Sequence, residues 1–398
     1  MKITSTSSQR KLVLGILILI LLAWHASDLG KAIDEGKIPL NDFEEYWAAS
    51  RIFLGGGNPY DAAEVLKVQH GLGSRDPKPL MMWNPPWTLP LLLPFCSLPF
   101  WSGRGLWFLF NLALILLIAD WFWSSYGGPE ACRWMSWLAA ILFLPVGTSL
   151  FLGQMSPLVL AGAAAFLWGL RRKKDFWAGA GTLGLTIKPH LLYLFWIFFV
   201  FWLVRERRWK VLLGSLSAFA ASSLIVLWFQ PSIFHDYFVS LSSSSGPGIW
   251  QTPTWGVALL MLFPNAGGWV RFLPSALGVV IAGALWLAWR DKFEWQRHFP
   301  AISLLSVTTS SFTWMFDWVV LLPVVILIVL WFQSHPGRLW WLAAGLLLMQ
   351  PLLVISPGIT KTNFYTIWMP PALWLLYWSG SRAKRRLQRG SAEGISPA

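Results

Sequence analysis

The sequence predicts an all-α integral membrane protein, one domain over residues 1–398 that folds as a bundle of about 12 transmembrane helices. Composition is the first observation behind this: 56% of the 398 residues are hydrophobic, with 30 Trp and 27 Phe, an excess that soluble domains do not carry. Spacing is the second, because apolar runs recur from residue 12 to residue 380 and a helix needs about 20 such residues to cross a bilayer. Charge placement is the third: the basic residues sit in short clusters between the runs, as the positive-inside bias requires.

Taken in order, the run "KLVLGILILILLAWHA" follows basic residues and lacks a small-residue cleavage site after it, so it reads as a retained first span. It delivers residues 28–83 to the outer face. Three apolar stretches follow, 86–100, 105–123 and 134–151, and a consistent topology needs an even number of crossings among them. The stretch 86–100 carries Pro86, Pro90, Pro94 and Pro99 after Pro85, which interrupt a helix repeatedly, so it is the one expected not to cross. Further spans are expected near 156–170, 176–188, 189–204, 211–229, 270–290, 299–312, 317–333, 338–355 and 364–380, whereas 255–263 is too short. This puts Arg171 to Lys174, Arg205 to Lys210, Arg290 to Arg297 and the basic tail 381–398 in the cytoplasm, and Gln154, Lys188, Asp317 and Lys361 at the outer face.

Several function classes drop out. The net charge of +13 follows from the loop clusters and does not call for nucleic acid. Cys96 and Cys132 are the only cysteines, so neither a disulfide framework nor a thiolate metal site is expected. No HExxH, CxxC, GxSxG or P-loop motif occurs, so an ATP- or nucleotide-sugar-driven cytoplasmic enzyme is not expected, and no cofactor is called for.

Acid is concentrated instead. The loop 28–83 holds nine of the 18 acidic residues, three of them in "NDFEEYW" at 41–47. The stretch "DFEEYWAASRIFLGGGNPYD" predicts a short helix and a turn, with interfacial helices expected in this loop. Asp42 is either a helix N-cap or a catalytic carboxylate, and Tyr46 and Trp47 are either the face of an interfacial amphipathic helix or part of a site. Lys188 in "TIKPHL" lies between two apolar stretches, where an ammonium either snorkels to the interface or meets an anion. His190 follows it, Gln154 stands in "LGQMSP" at the same level, and Asp317 is a second acid at the mouth of a span. A carboxylate-rich loop above cations at the bilayer boundary suits a lipid-linked phosphate ester: its tail in the membrane, its phosphate beside Lys188 and its sugar in the loop. One carboxylate then takes the acceptor's proton as the hydroxyl attacks the anomeric carbon from the far side, which inverts configuration.

Four segments carry a resemblance: "DFEEYWAASRIFLGGGNPYD", "WNPPWTLPLLLPF", the block from "GQMSPLVL" to "TIKPHLLYL", and "SFTWMFDWVVLLP". Together they resemble glycosyltransferase family 87, integral-membrane enzymes of the GT-C superfamily, over roughly residues 1–335. The resemblance implies a GT-C type helical bundle and a metal-independent mannosyltransferase that uses a polyprenyl-phosphate sugar donor. The reading adopted with it is transfer to a glycolipid or glycan acceptor on the extracytoplasmic side of the plasma membrane. Carried over by motif, Asp42 is the base of the "DFxxY" pattern, Lys188 the donor-phosphate residue and Gln154 the amide of "GQ". Tyr46, Arg51, Tyr60 and Asp61 match the loop pattern, while "TSSFTW" lacks the Pro that many members place before the late motif. The full expectation is Asp42 as catalytic base, with Lys188, His190, Arg51 and Lys361 on the donor phosphate and Tyr46, Tyr60, Asp61, Gln154 and Asp317 on the substrate. A flippase or transporter of lipid-linked sugars is the alternative; the absence of half-to-half symmetry and the position of the ionisable residues at span ends count against it.

Overall fold

The computed structural model describes residues 14–16, 18, 42–242, 251–360 and 362–392. Among these the chain is helical with no strand. Most of the first span, residues 28–41 and Lys361 lie outside the described residues, and so do the roles expected of them.

Two helices open the described body, α1 (Phe43–Leu54) and α2 (Ala62–Gly71), followed by the short α3 (Leu89–Cys96) and the long α4 (Phe100–Ser125). Then come α5 (Trp134–Leu142), α6 (Leu144–Leu152), α7 (Ser156–Arg171) and α8 (Asp175–Gly181), the last continued by a 3₁₀ turn over Thr182–Thr186. The second half holds α9 (Tyr193–Glu206), α10 (Trp209–Phe229), α11 (Ile233–Leu241), α12 (Trp255–Leu262), α13 (Leu273–Trp289) and α14 (Trp295–Thr309). It ends with α15 (Leu322–Ser334) after a 3₁₀ turn Met315–Leu321, then α16 (Pro336–Thr360) and α17 (Met369–Ala392).

Among the described residues, five segments are long and apolar enough to cross a membrane: Phe100–Ser125, Trp209–Phe229, Gly268–Lys292, Met315–Ser334 and Pro336–Pro357. Each coincides within a few residues with an expected span, because length and apolarity are local properties of the chain. The expected crossing 134–151 comes out differently. It is two helices bent by 61°, because Phe143 is extended and Pro145, at the second position of α6, has no N–H to carry a helix through. The freed amide of Leu144 donates instead to Gln350 Oε1 at 2.8 Å, from α16. The proline-rich stretch, expected not to cross, forms only Pro86–Thr88 and α3, too short to span.

Packing follows membrane rules. At Gly179 on α8 an added Cβ would stand 1.9 Å from the Val211 carbonyl oxygen, and at Gly214 on α10 it would stand 1.9 Å from that of Phe176. Glycine at both positions therefore lets the two backbones meet, the small-residue contact by which helices associate in lipid. Outward-facing side chains are large and apolar, among them Leu117, Trp209, Leu224, Trp228 and Leu262, and they suit a lipid surround.

Three of the basic clusters expected on one side, at 171–174, 205–210 and 290–297, share one end of the bundle. Arg208 donates to Asp175 at 3.0 and 3.1 Å, and Arg205 Nη2 donates to Asp291 Oδ1 at 3.0 Å. Helices α7 and α9 run from the other end to these clusters, and the breaks at that other end build a cavity.

Candidate active site

Helix α1 is not a surface helix with one wet face. Every residue from Phe43 to Ser50 is buried. Phe43 packs 5.9 Å from the Phe100 ring and 6.1 Å from that of Trp107, and Trp47 Nε1 donates to the Leu98 carbonyl at 2.9 Å. The helix is therefore clamped against the start of α4. Glu44 and Glu45 in its first turn suit the positive end of the helix dipole. Asp42 occupies the N-cap position, yet its side chain makes no capping hydrogen bond. Its Oδ2 accepts from Gln154 Nε2 instead.

Helical spacing divides the three carboxylates of "NDFEEYW". Asp42, Glu45 and Tyr46, three and four residues apart, share one face and line a cavity of about 790 Å³ with Gln154, Lys188, His190, Trp314 and Asp317. Glu44 is not among its lining residues. Buried elsewhere with Oε1 unpartnered, its carboxyl is pushed up to about 7 by burial and by Asp76. Burial also raises Asp42, while the Gln154 hydrogen bond and Lys188 pull the other way. Glu45 stands well above the ordinary carboxylate range, first through burial and then through the charge of Asp42.

Three helix breaks bring the remaining groups in. Between α6 and α7, Gly153 adopts φ +72°, turning the chain so that Gln154 faces α1. An added Cβ there would sit 2.9 Å from Phe43 Cβ. Gly153→Ala is expected to destabilise the protein by about 1–3 kcal/mol, one part from the left-handed backbone and the rest from that contact; a thermal melt of the purified protein checks it. Between the 3₁₀ turn and α9, Pro189 follows Lys188 and the helix stops, so the ammonium enters the cavity instead of lying along a span. Before α15, Asp317 closes a turn by accepting from Trp314 N at 2.9 Å.

These groups form one hydrogen-bonded chain. Lys188 Nζ donates to Asp317 Oδ1 at 2.7 Å, Gln154 Oε1 at 2.7 Å and Ser156 Oγ at 3.2 Å. Ser156 Oγ also donates to Asp317 Oδ1 at 2.6 Å. Tyr46 Oη donates to Gln154 Oε1 at 3.1 Å. An ammonium only donates, so the Gln154 oxygen must face Lys188 and its NH₂ must face Asp42, which fixes the amide. Phe316 places its ring 5.0 Å from Lys188 Nζ.

The other expected residues fall in different places. His190 lines the cavity, and its carbonyl accepts from Ser310 Oγ at 2.9 Å. Tyr60 donates from Oη to the Asn84 carbonyl at 3.2 Å and packs 5.2 Å from the Tyr237 ring, one layer behind the lining residues Asn84 and Tyr237. Asp61 caps α2, accepting from Ala63 N and Glu64 N at 2.8 and 2.9 Å. Arg51 is exposed, donates to the Ser97 carbonyl at 3.1 Å and lies over Trp47, away from the cavity. Lys361 is outside the described residues. Sequence reasoning did not single out Glu45 or Ser156; the i, i+3 spacing from Asp42 is the signal that identifies Glu45. No group of three His, Cys, Asp or Glu side chains suited to a metal occurs among the described residues.

A polytopic helical membrane protein whose helix breaks gather carboxylates and one buried cation in a large cavity is built to handle a polar substrate at a membrane. The model of glycosyltransferase family 87 matches residues 83–316, more than half of the chain, and the protein belongs to that family. No curated protein and no solved structure matches the chain. Membership makes it a membrane glycosyltransferase. The match takes in Gln154, Lys188 and His190, while Asp42, Tyr46 and Asp317 lie beyond it.

Proposed function

We propose that the protein is an inverting glycosyltransferase that moves a sugar, mannose in the first instance, from a polyprenyl-phosphate donor to a glycolipid or glycan acceptor. On this reading the site faces the outside of the plasma membrane and the shorter helices count among a dozen or so crossings. The observation that carries the proposal is the Gln154 bridge, with Asp42 on its nitrogen and Lys188 on its oxygen inside one cavity. A base and a phosphate-binding cation at opposite ends of one amide match the two ends of a displacement at an anomeric carbon.

Depth supports the lipid donor. Helix α7 has 16 residues and α9 has 14, so each reaches only about 21–24 Å from the basic end, short of the roughly 30 Å hydrocarbon layer. The cavity is thereby sunk below the membrane surface, where a phosphate joined to a polyprenyl tail lies. A phosphate oxygen takes the place of Ser156, the most distant of the three Lys188 acceptors.

The acceptor hydroxyl gives its proton to Asp42 as its oxygen bonds to the anomeric carbon. The bond from that carbon to the phosphate oxygen breaks, and the electron pair leaves on the phosphate, whose charge Lys188 stabilises. Of the three cavity carboxylates Asp42 is the best base, because Gln154 donates to its charged form, whereas Glu45 holds its proton more firmly and Asp317 is engaged by Lys188, Ser156 and the Trp314 amide.

This assignment sets a pH dependence. The base works as a carboxylate, its carboxyl is raised by burial, and activity is lost as pH falls through that raised value. In Gln154→Leu the hydrogen bond that favours the ionised form is gone, so the acidic limb of kcat/KM is expected to move to higher pH. A limb that stays in place removes Asp42 or its link to Gln154 from the account. The reaction itself is tested by incubating the detergent-purified protein with a panel of polyprenyl-phosphate sugars and an added acceptor, following free polyprenyl phosphate by mass spectrometry. Release coupled to transfer, with no membrane to cross, also separates a transferase from a flippase.

A further inference from the structure

A second chamber of about 490 Å³ opens beside the central cavity, lined by Gln251, Trp314, Pro357, Thr362 and Asn363. Three of these, Gln251, Trp314 and Asn363, also line the central cavity, so they stand in the passage between the two. The volume lies within the roughly 300–1,000 Å³ of small-molecule sites. Its chemistry is distinctive: one indole, two primary amides, one hydroxyl and no charged side chain among the described lining residues. We propose that this vestibule is the acceptor subsite and that it takes a neutral saccharide, with a pyranose face stacked on Trp314 and its hydroxyls on the amides of Gln251 and Asn363. The proposal rests on the glycosyl-transfer reading above and names the acceptor class for that site.

The physical match is specific. Each amide offers both donors and an acceptor, and so pairs with hydroxyls that do both. An indole presents a flat apolar face to the C–H side of a sugar ring while remaining tolerant of water. Among the described lining residues a phosphate or a charged peptide finds no counter-charge. An acyl chain finds a better home in the separate cavity of about 310 Å³ lined by Leu138, Phe143, Val325 and Leu346, where Gln350 is the single amide or ionisable side chain among the described lining residues.

The vestibule is also tied to the donor side. Asp317 holds Lys188 and Ser156 with Oδ1 and the Trp314 backbone N–H with Oδ2, and Phe316 stacks on the Trp314 ring at 6.2 Å and 22°. One carboxylate thus sets the position of the stacking ring relative to the phosphate-binding cation. Thr362 Oγ1 accepts from Phe364 N at 3.2 Å, starting the 3₁₀ turn that presents Asn363 as its first residue. Asn363 and Thr362 lie beyond the family-matched segment.

Saturation-transfer NMR on the detergent-purified full chain tests this, using methyl α-D-mannopyranoside as one probe and a neutral threonine tripeptide as the other. The pyranoside C–H signal is expected in the parent protein and in Asp42→Asn, to fall at least five-fold in Trp314→Ala, to weaken in the exposed-site variant Asn363→Ala, and to be retained in Trp314→Phe. No pyranoside signal in the parent, a signal indifferent to Trp314→Ala and Asn363→Ala, or tripeptide binding in its place overturns the subsite. The expected pattern without any release of polyprenyl phosphate removes the transfer chemistry and leaves the saccharide site standing.

Discussion

Asp42→Asn is expected to lower sugar transfer by about 10²–10⁴-fold, the usual contribution of a positioned general base. The fold is expected to hold, because Asn keeps an oxygen where Asp42 Oδ2 accepts from Gln154 and the residue makes no capping bond to lose. Donor binding is expected to persist for the same reason: Lys188 keeps its contacts with Gln154, Ser156 and Asp317. The checks are initial rates of polyprenyl-phosphate release, a melting curve, and binding of a polyprenyl-phosphate sugar to the variant. Transfer within a few-fold of the parent would transfer the role elsewhere, with Glu45, on the same face of α1, as the next carboxylate to replace.

The second large effect is expected at Lys188. Its ammonium is buried against an Asp317 side chain only 2% exposed, at 2.7 Å, so Lys188→Met leaves an uncompensated charge inside the protein. That costs about 3–5 kcal/mol, which a melting curve reads as a fall in Tm, and donor turnover is lost as well. The double variant Lys188→Met/Asp317→Asn separates the two roles. It removes both charges and keeps an oxygen for Trp314 N, so it is expected to recover most of the stability and none of the activity. A double variant that regains transfer would sink the phosphate-binding role of Lys188, and one that stays as unstable as the single variant would show that the ion pair is not the source of the loss.

Much of this architecture was legible before any coordinates. The spans at Phe100–Ser125, Trp209–Phe229 and Met315–Ser334 follow from apolar length alone, and the proline run before Phe100 yields only short helices, as its missing N–H groups dictate. The bend at Phe143 was not legible as a bend. Pro145 marks the spot, but the Leu144 amide freed there is satisfied by Gln350, 206 positions away. Asp42, Gln154 and Lys188 stood out as residues, whereas Arg51 and Asp61 share the loop and motif pattern of Asp42 yet end up holding the Ser97 carbonyl and the start of α2.

By itself the sequence determined that this is a helical membrane protein with an acid-rich loop and a lysine forced out of a span, because burial in lipid and the breaking of a helix by proline are decided within a few residues. Only the tertiary structure decided that Asp42 and Lys188 meet across Gln154, that Asp317 anchors the lysine, and that Glu45 joins the cavity while Arg51 does not. Those pairings link residues more than a hundred positions apart, and a hydrogen bond depends on distance in space, which no local pattern along the chain encodes.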